Sequence, residues 1–386
     1  MTWSSLSGSS GGATLGIGEK LRQISWVFLL IITAIASLGF AMLYSAADGH
    51  ADPWMSRQAA RFAIGIGVLI AVALVDFRFW LRYAYPLYGF AFLLLIYVEA
   101  AGHVGMGAQR WIAIGPLQLQ PSELMKIALI LALARYFHGL TYEDIGKPHY
   151  LIIPTLMVFL PAGLVLMQPD LGTAGMLVLG GALIFFAAGV RLWKFGLVGL
   201  AGIAAVPVGW SFLHDYQKDR ILTFLHPESD PLGAGYHILQ SQIAFGSGGL
   251  FGRGFLQGSQ THLSFLPERQ TDFIFTMLAE ELGMVGGLVL LALYTLLIAY
   301  GTAIALRSRN QFGRLVAIGL TGNLFLYVFI NMAMVMGLLP VVGVPLPLIS
   351  YGGTAMLTLL AGFGLLMSVY INRDLRIGRH GGAAED

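Results

Sequence analysis

The sequence predicts an all-α polytopic membrane protein with about ten transmembrane helices, both termini cytoplasmic, and one long extracytoplasmic loop between helices seven and eight. Three observations carry this. The chain is 57% hydrophobic and 11% charged, with a mean hydropathy of +0.75, against roughly 45–50% and 25% in soluble domains. Its apolar runs are each about 20 residues long, which crosses a ~30 Å hydrocarbon core, whereas a membrane β-barrel would alternate in segments of about 10. Its Lys and Arg residues also fall unevenly on the two sides that those runs define.

Taken in order, residues 1–20 are Gly/Ser-rich and read as a disordered tail. The run from Ile24 to Ala46 is longer than a signal-peptide core and no small-residue cleavage site follows, so it counts as the first span. Further spans are expected near 58–76, 79–101, 122–139, 150–168, 172–190, 193–213, 271–305, 313–338 and 350–371, within a single domain over 21–372. Residues 373–386 form a C-terminal tail. Gln168 to Leu171 allow only a tight hairpin between spans five and six. Loop 214–270 is long and polar, with a short interfacial helix expected over Tyr236–Phe245. Pro340, Pro345 and Pro347 break helicity before the last span. Non-helical backbone at that depth is tolerated only inside protein or along a wet cavity, so a re-entrant or cavity-lining segment is expected there.

With the N terminus inside, fourteen Lys and Arg lie on the inner side, from Lys20 through Arg78, Arg82 and Arg135 to Arg379. Seven lie outside: Arg57, Arg61, Arg110, Lys218, Arg220, Arg253 and Arg269. Lys126 falls inside the fourth span. The inner charges sit mostly in short loops, as an orientation signal requires, while the outer side gathers both signs at helix ends. Cys is absent, which excludes disulfides, thiolate chemistry and Cys-based metal sites. The His residues lack ligand spacing, so no metal site is read and no cofactor is required by the sequence; a divalent cation is left open. No basic tract points to nucleic acid.

The stretch Ser264–Gly283 places Glu268, Arg269 and Asp272 at a membrane border, with Glu280 and Glu281 about two turns further in. Ionisable groups there are expensive and point to function. Asp272, followed by Phe273, Ile274 and Phe275, suits a general base, an effect usually worth ~10²–10⁴ in rate. It equally suits a helix cap, as does Thr271, with Arg269 snorkelling. Glu123 and Lys126 stand i,i+3 on the outer turn of the fourth helix. They read either as a structural pair or, with Arg57, Arg61, Arg110 and Arg269, as an anion site for a group such as pyrophosphate. Arg would clamp oxygens bidentately and Lys would act as a point charge. Asp170 reads as an N-cap. The glycines between 246 and 258 lack the Gly-Lys-Ser/Thr of a P-loop.

GAQRW (107–111), QPSELMK (120–126), QPDLGT (168–173), LPERQTDFIF (266–275) with EELG (280–283), and PLPLISYGGT (345–354) resemble the motifs of SEDS proteins, the shape, elongation, division and sporulation polymerases of bacterial cell walls. The loop over 226–255 is most similar to the RodA-type elongation branch. The resemblance spans residues 24–372. It implies a ten-span glycosyltransferase of the bacterial cytoplasmic (inner) membrane that polymerises lipid II into glycan strands. The implied partners are a class B penicillin-binding transpeptidase and other elongation-complex proteins. Residue by residue, Asp272 matches the acid regarded as catalytic, and Arg57 matches an Arg at the outer start of the second helix. Arg110, Glu123, Lys126 and Asp170 match positions tied to activity. Arg61, Glu268 and Arg269 join them as substrate-binding candidates on the residue reading alone. The chain departs from the pattern at Gly105-Met106, where a Lys is common, and at Thr354 and Ala355, where a Ser pair is usual.

Two other functions compete. A lipid II flippase, or a transporter using Glu280 and Glu281, would need polar groups near the midplane. A non-catalytic scaffold for the transpeptidase would need none of the acid–base chemistry.

Overall fold

Each apolar run is helical in the computed structural model, which describes residues 16–105, 108–114, 117–212, 218–219, 222–224, 226, 234–258, 269–375 and 377–378. The long helices are α2 (Trp26–Ala46), α3 (Met55–Leu74), α4 (Phe77–Ala101), α5 (Pro121–His138), α7 (His149–Met167), α8 (Leu171–Ala188), α9 (Leu192–Phe212), α11 (Ile274–Arg307), α12 (Gln311–Val335) and α13 (Gly353–Ile371), with the single-turn α6 (Tyr142–Ile145) between α5 and α7. Eight of these are long and apolar enough to cross a membrane. The other two are α5, which carries Glu123, Lys126 and Arg135, and α9, whose apolar stretch is Leu192–Pro207. The protein is thus a mostly helical, multi-pass membrane protein.

Side-chain caps explain several helix starts: Ser25 accepts from Phe28 N on α2, Asp76 from Arg78 N on α4, and Asn310 from Phe312 N on α12. The core is built around α12, α13 and α5. Leu133, Phe137, Phe312, Val316, Leu360 and Met367 are all fully buried there. α3 lies along α13, and α4 and α8 flank α5. By contrast α9 exposes Leu192, Leu197, Leu200, Ile203 and Val206 along its length, the pattern of a helix facing lipid.

Four features depart from the sequence expectation. The fold is not purely α: β1 (His103–Gly105), β2 (Ala108–Ile114) and β3 (Leu117–Leu119) form an antiparallel sheet in the order β1-β2-β3. Of the tail expected to be disordered, residues 1–15 lie outside the described residues, but Ile17–Arg22 forms helix α1. Lys20 on α1 is buried and donates from Nζ to the Leu74 carbonyl at 2.9 Å, the last residue of α3. The helix expected over Tyr236–Phe245 exists as α10 (Ala234–Ser247), yet it is not merely interfacial. Ser241 is fully buried and bonds to Thr276 Oγ1 at 2.8 Å and to the Val335 carbonyl at 2.9 Å.

The fourth departure lies within α11. It is broken at Gly283, whose φ of 67° and ψ of −164° only glycine adopts readily. The break frees backbone groups, and residues 249–254 satisfy them. Met284 N donates to Gly249 O at 3.0 Å and Val285 N to Leu250 O at 3.1 Å. In return Arg253 N donates to Glu280 O and Gly254 N to Glu281 O. A break buried without such partners would cost several kcal/mol per group in lipid.

The proline-rich stretch is non-helical from 336 to 352, as its sequence predicts; Leu338 and Gly343 are exposed, while Val344 and residues 346–350 are buried inside the protein. Asn331 Nδ2 donates to Val344 O at 2.8 Å, Leu346 N donates to Ser350 Oγ at 2.7 Å, and Tyr294 OH donates to Pro347 O. At the chain's other end, Arg309 N bonds to Arg373 O and Ile377 is buried, so the tail folds back onto the start of α12.

Candidate functional site

The end of α2 and the starts of α3, α5, α8, α11 and α13 all reach one end of the bundle, and most of the predicted site residues stand there. Asp272 lies in the turn over 269–273 that precedes α11. The cap position of α11 is Phe273 and no side chain caps it, so Asp272 does not serve as the N-cap. Instead its backbone is fixed. Three successive carbonyls are each held by a group from elsewhere: Gln270 O by Tyr351 N at 2.8 Å, Thr271 O by Ser350 Oγ at 2.6 Å, and Asp272 O by Asn331 Nδ2 at 3.1 Å. The carboxylate lies beside Gly343, where a Cβ would stand 3.6 Å from Oδ2 and where φ is +68°. A side chain there would be strained by that backbone conformation and would stand in contact with the acid.

Arg269, a substrate-binding candidate by its sequence, reaches Asp48 Oδ2 at 3.3 Å and lies 6.0 Å from the Trp54 ring. It thereby ties the α11 turn to the α2–α3 loop. Glu268 lies outside the described residues. Arg57 is exposed on the first turn of α3, with no carboxylate partner among the described residues. One turn on, Arg61 stacks 4.7 Å above the Tyr351 ring, and its Nη1 is buried without a hydrogen-bond partner among the described residues. Between them Gln58, which sequence reasoning missed, is buried and clamps the 350–352 backbone, donating to Ser350 O and accepting from Gly352 N.

Arg110 sits on β2 and closes over the α7–α8 hairpin. It donates to Gln168 O at 3.0 Å and to Pro169 O, and its Nη1 is 3.6 Å from Asp170 Oδ2. Asp170 also caps α8, accepting from Thr173 N at 3.0 Å, as its sequence context predicts. The hairpin mouth is therefore locked by a guanidinium that already has its partners.

The third group is Glu123 with Lys126. Both are buried, and Lys126 Nζ donates to Glu123 Oε1 at 2.7 Å. Tyr327 on α12 completes the set: it donates to Glu123 Oε2 at 2.6 Å, and Lys126 Nζ bonds to its hydroxyl from 4.3 Å above the ring centroid. The ammonium that the sequence offered to an anion is held inside a closed triad. Sequence reasoning missed Tyr327, because a Tyr within an apolar run carries no local signal of its partner. Small cavities flank it, one lined by Pro345, Leu346 and Ser350 and the other by Glu123, Lys126 and Thr358. Tyr327 lines both, so it stands between the buried pair and the proline-rich segment. Among the described residues no three carboxylates or imidazoles gather as a metal centre.

This arrangement of fixed acid, arginine-bearing helix start and buried Lys–Glu–Tyr triad can be set beside known proteins. The family model for FtsW, RodA and SpoVE, described as cell cycle protein, matches residues 21–375. The chain belongs to the FtsW/RodA/SpoVE family. Among members of that family, the peptidoglycan glycosyltransferase MrdB of Escherichia coli K12 is 46% identical over 350 residues, covering 90% of this chain and 93% of that protein. The stage V sporulation protein E of Bacillus subtilis is 38% identical over 355 residues, covering 89% and 96%. A chain from a peptidoglycan synthase complex, whose structure concerns the coordination of polymerization and crosslinking, superposes with a TM-score of 0.79. It is 36% identical and covers 91% of this chain and 98% of that one. The crystal structure of the rod shape determining protein RodA of Thermus thermophilus superposes with a TM-score of 0.69 at 33% identity, covering 91% and 97%.

Proposed function

We infer that this FtsW/RodA/SpoVE-family protein is a peptidoglycan glycosyltransferase of cell elongation, polymerising lipid II into glycan strands. The activity rests on its relatives, and the assignment of its chemistry rests on one observation. The backbone of Asp272 is pinned at three consecutive carbonyls, with its carboxylate beside a residue that has no side chain. Such preorganisation keeps a base in place without reorganisation during reaction.

In this reading both termini are cytoplasmic, ten helices span the bacterial inner membrane, residues 21–372 form one domain, and loop 214–270 and the site face outward. No ATP is available there, so the donor arrives activated as a polyprenyl pyrophosphate. Asp272 takes the proton from the acceptor sugar's hydroxyl. The oxygen so freed attacks the anomeric carbon of the donor, whose bond to the pyrophosphate breaks with inversion, and the polyprenyl pyrophosphate leaves with the negative charge. Arg57 and Arg61 are the cations positioned to meet it, Arg61 with an unshared buried Nη1. Arg110 and Asp170 hold the hairpin mouth beside the substrate, Glu123 and Tyr327 orient Lys126, and Arg269 fixes the turn that carries the base. A class B penicillin-binding transpeptidase is the partner, in keeping with the synthase complex that this chain resembles.

Transport is the weaker reading. Glu281 accepts from Ser45 Oγ at 2.5 Å and from Leu256 N at 3.3 Å. Ser45 is the penultimate residue of α2, so Glu281 sits toward the end of the bundle rather than at its middle. The deciding experiment supplies purified protein and partner with lipid II in detergent, where polymer can form but transport cannot. Glycan strands are expected from the native protein and none from Asp272→Asn. Polymer made at the native rate by the folded variant would remove Asp272 from the mechanism.

A further inference from the structure

At the opposite end of the bundle from the proposed catalytic site, the start of α4 and the end of α5 line an open cleft of about 810 Å³. Three arginines line it: Arg78 and Arg82 from the first two turns of α4, and Arg135 from the last turn of α5. Arg135 is already oriented, its guanidinium 4.5 Å above the Tyr85 ring and its Nη1 donating to Arg82 O at 2.6 Å. Asp76 is the acidic residue of the lining, and its carboxylate caps α4 by accepting from Arg78 N at 2.8 Å. The guanidinium groups of Arg78 and Arg82 meet no carboxylate among the described residues.

Topological signalling requires basic residues on this side but does not require them to converge on one concavity. Nor does it explain what continues from the cleft. Phe79, Tyr83, Phe90, Leu93 and Tyr97 are exposed and recur at helical spacing along one face of α4. An apolar strip thus leads away from a basic mouth along the length of α4. A soluble phosphate would use only the mouth, whereas an amphipathic anion with acyl chains would use both.

We propose that this cleft is a binding site for an anionic phospholipid of the inner leaflet. Its phosphodiester is held by Arg78, Arg82 and Arg135, and an acyl chain lies on the exposed face of α4. Basic pockets between helices on the cytoplasmic side are the expected receptors for such headgroups. The inference uses the inward orientation proposed above but is independent of the catalytic assignment.

The test is native mass spectrometry of the full-length protein in detergent, titrated with phosphatidylglycerol and, separately, with phosphatidylcholine of the same acyl chains. Phosphatidylglycerol is expected to bind at a discrete stoichiometry and more tightly. Arg78→Gln with Arg82→Gln should weaken it about thirtyfold, near fivefold per arginine. The Lys pair at the same positions should retain most of the binding, and Arg191→Gln, outside the cleft, should change nothing. Should the Gln pair fail to fold, the native protein decides: its affinity for phosphatidylglycerol must fall with added salt while that for phosphatidylcholine does not. Equal affinity for the two lipids, or an unchanged affinity in the folded Gln pair, overturns the site. Full competition by inorganic phosphate at matching concentration overturns the lipid and leaves a phosphate site only.

Discussion

Asn331 stands one helical turn beyond Tyr327 on α12, and the two residues hold different parts of the site. Tyr327 bonds to Glu123 and Lys126, while Asn331 donates to the carbonyls of Asp272 and Val344. Four residues of helix rise only about 6 Å. A single face of one buried helix therefore sets the distance between the buried ammonium and the segment that carries the proposed base.

Tyr327→Phe removes one hydroxyl and no packing volume. Lys126 and Glu123 then each lose a buried partner, which costs about 1–3 kcal/mol. If the triad orients Lys126 for reaction, polymerisation falls about tenfold for each 1.4 kcal/mol that reaches the transition state. The paired measurements are polymer yield from lipid II and the melting temperature. A normal rate alongside a lowered melting temperature would reduce Tyr327 to a structural role.

Ser350→Ala deletes the bond to the Thr271 carbonyl and also the one that Leu346 N makes to Ser350 Oγ. The expected signature is a fall in kcat with little change in KM, since the proposed base loses its placement while the arginine face is untouched. A rise in KM alone would place Ser350 with the substrate rather than with the base.

Glu281→Ala should destabilise the protein severely, because Ser45 Oγ and Leu256 N both lose their acceptor inside the bundle. Glu281→Gln, which keeps the shape and one acceptor, is expected to recover much of the melting temperature and of the activity. A transporter's essential carboxylate would show the opposite: both variants folded and both dead.

Gly283→Ala tests the break in α11. A non-glycine residue at φ 67° and ψ −164° is strained by about 1–3 kcal/mol, and the added Cβ would meet the Gly252 nitrogen at 2.3 Å. Loss of the ordered 249–254 segment is expected, read as faster amide exchange at Met284 and Val285. Protection equal to the native protein's would show that the break tolerates a side chain.

The absence of Cys permits a direct test of orientation. Phe251→Cys, at an exposed position before α11, should react with an impermeant maleimide on intact spheroplasts. Arg309→Cys, between α11 and α12, should react only after lysis. The reverse pattern would invert the topology.

Much of this was legible in the sequence, for a physical reason. Helical apolar runs declare themselves by length, and Asp170 announced its cap because the Gln-Pro-Asp-Leu-Gly-Thr string is local chemistry. Long-range pairings did not show. Nothing near Tyr327 in the chain points to Lys126, 201 residues away, and nothing near Arg61 points to Tyr351. The small sheet was missed because three short strands are a weak signal beside spans of twenty residues. Glu280 and Glu281 looked like intramembrane charges in search of a function. Glu281 acquires a structural explanation only when Gly283 is seen to interrupt the helix and residues 249–256 to pack against it.

That interruption has a mechanical meaning. Met284, Val285 and Leu288, just past it, are exposed and open to lateral load from lipid or from another helix. In an unbroken rod such a load would twist the first turn of α11 directly and move Asp272 with it. Here the rod is jointed. Residues 249–254 bridge its short head, from Ile274 to Leu282, and the long shaft beyond Gly283, with two hydrogen bonds to the head's Glu280 and Glu281 carbonyls and two from the shaft's Met284 and Val285 amides. Load on the shaft is therefore shared with that splint on its way to the turn that carries Asp272.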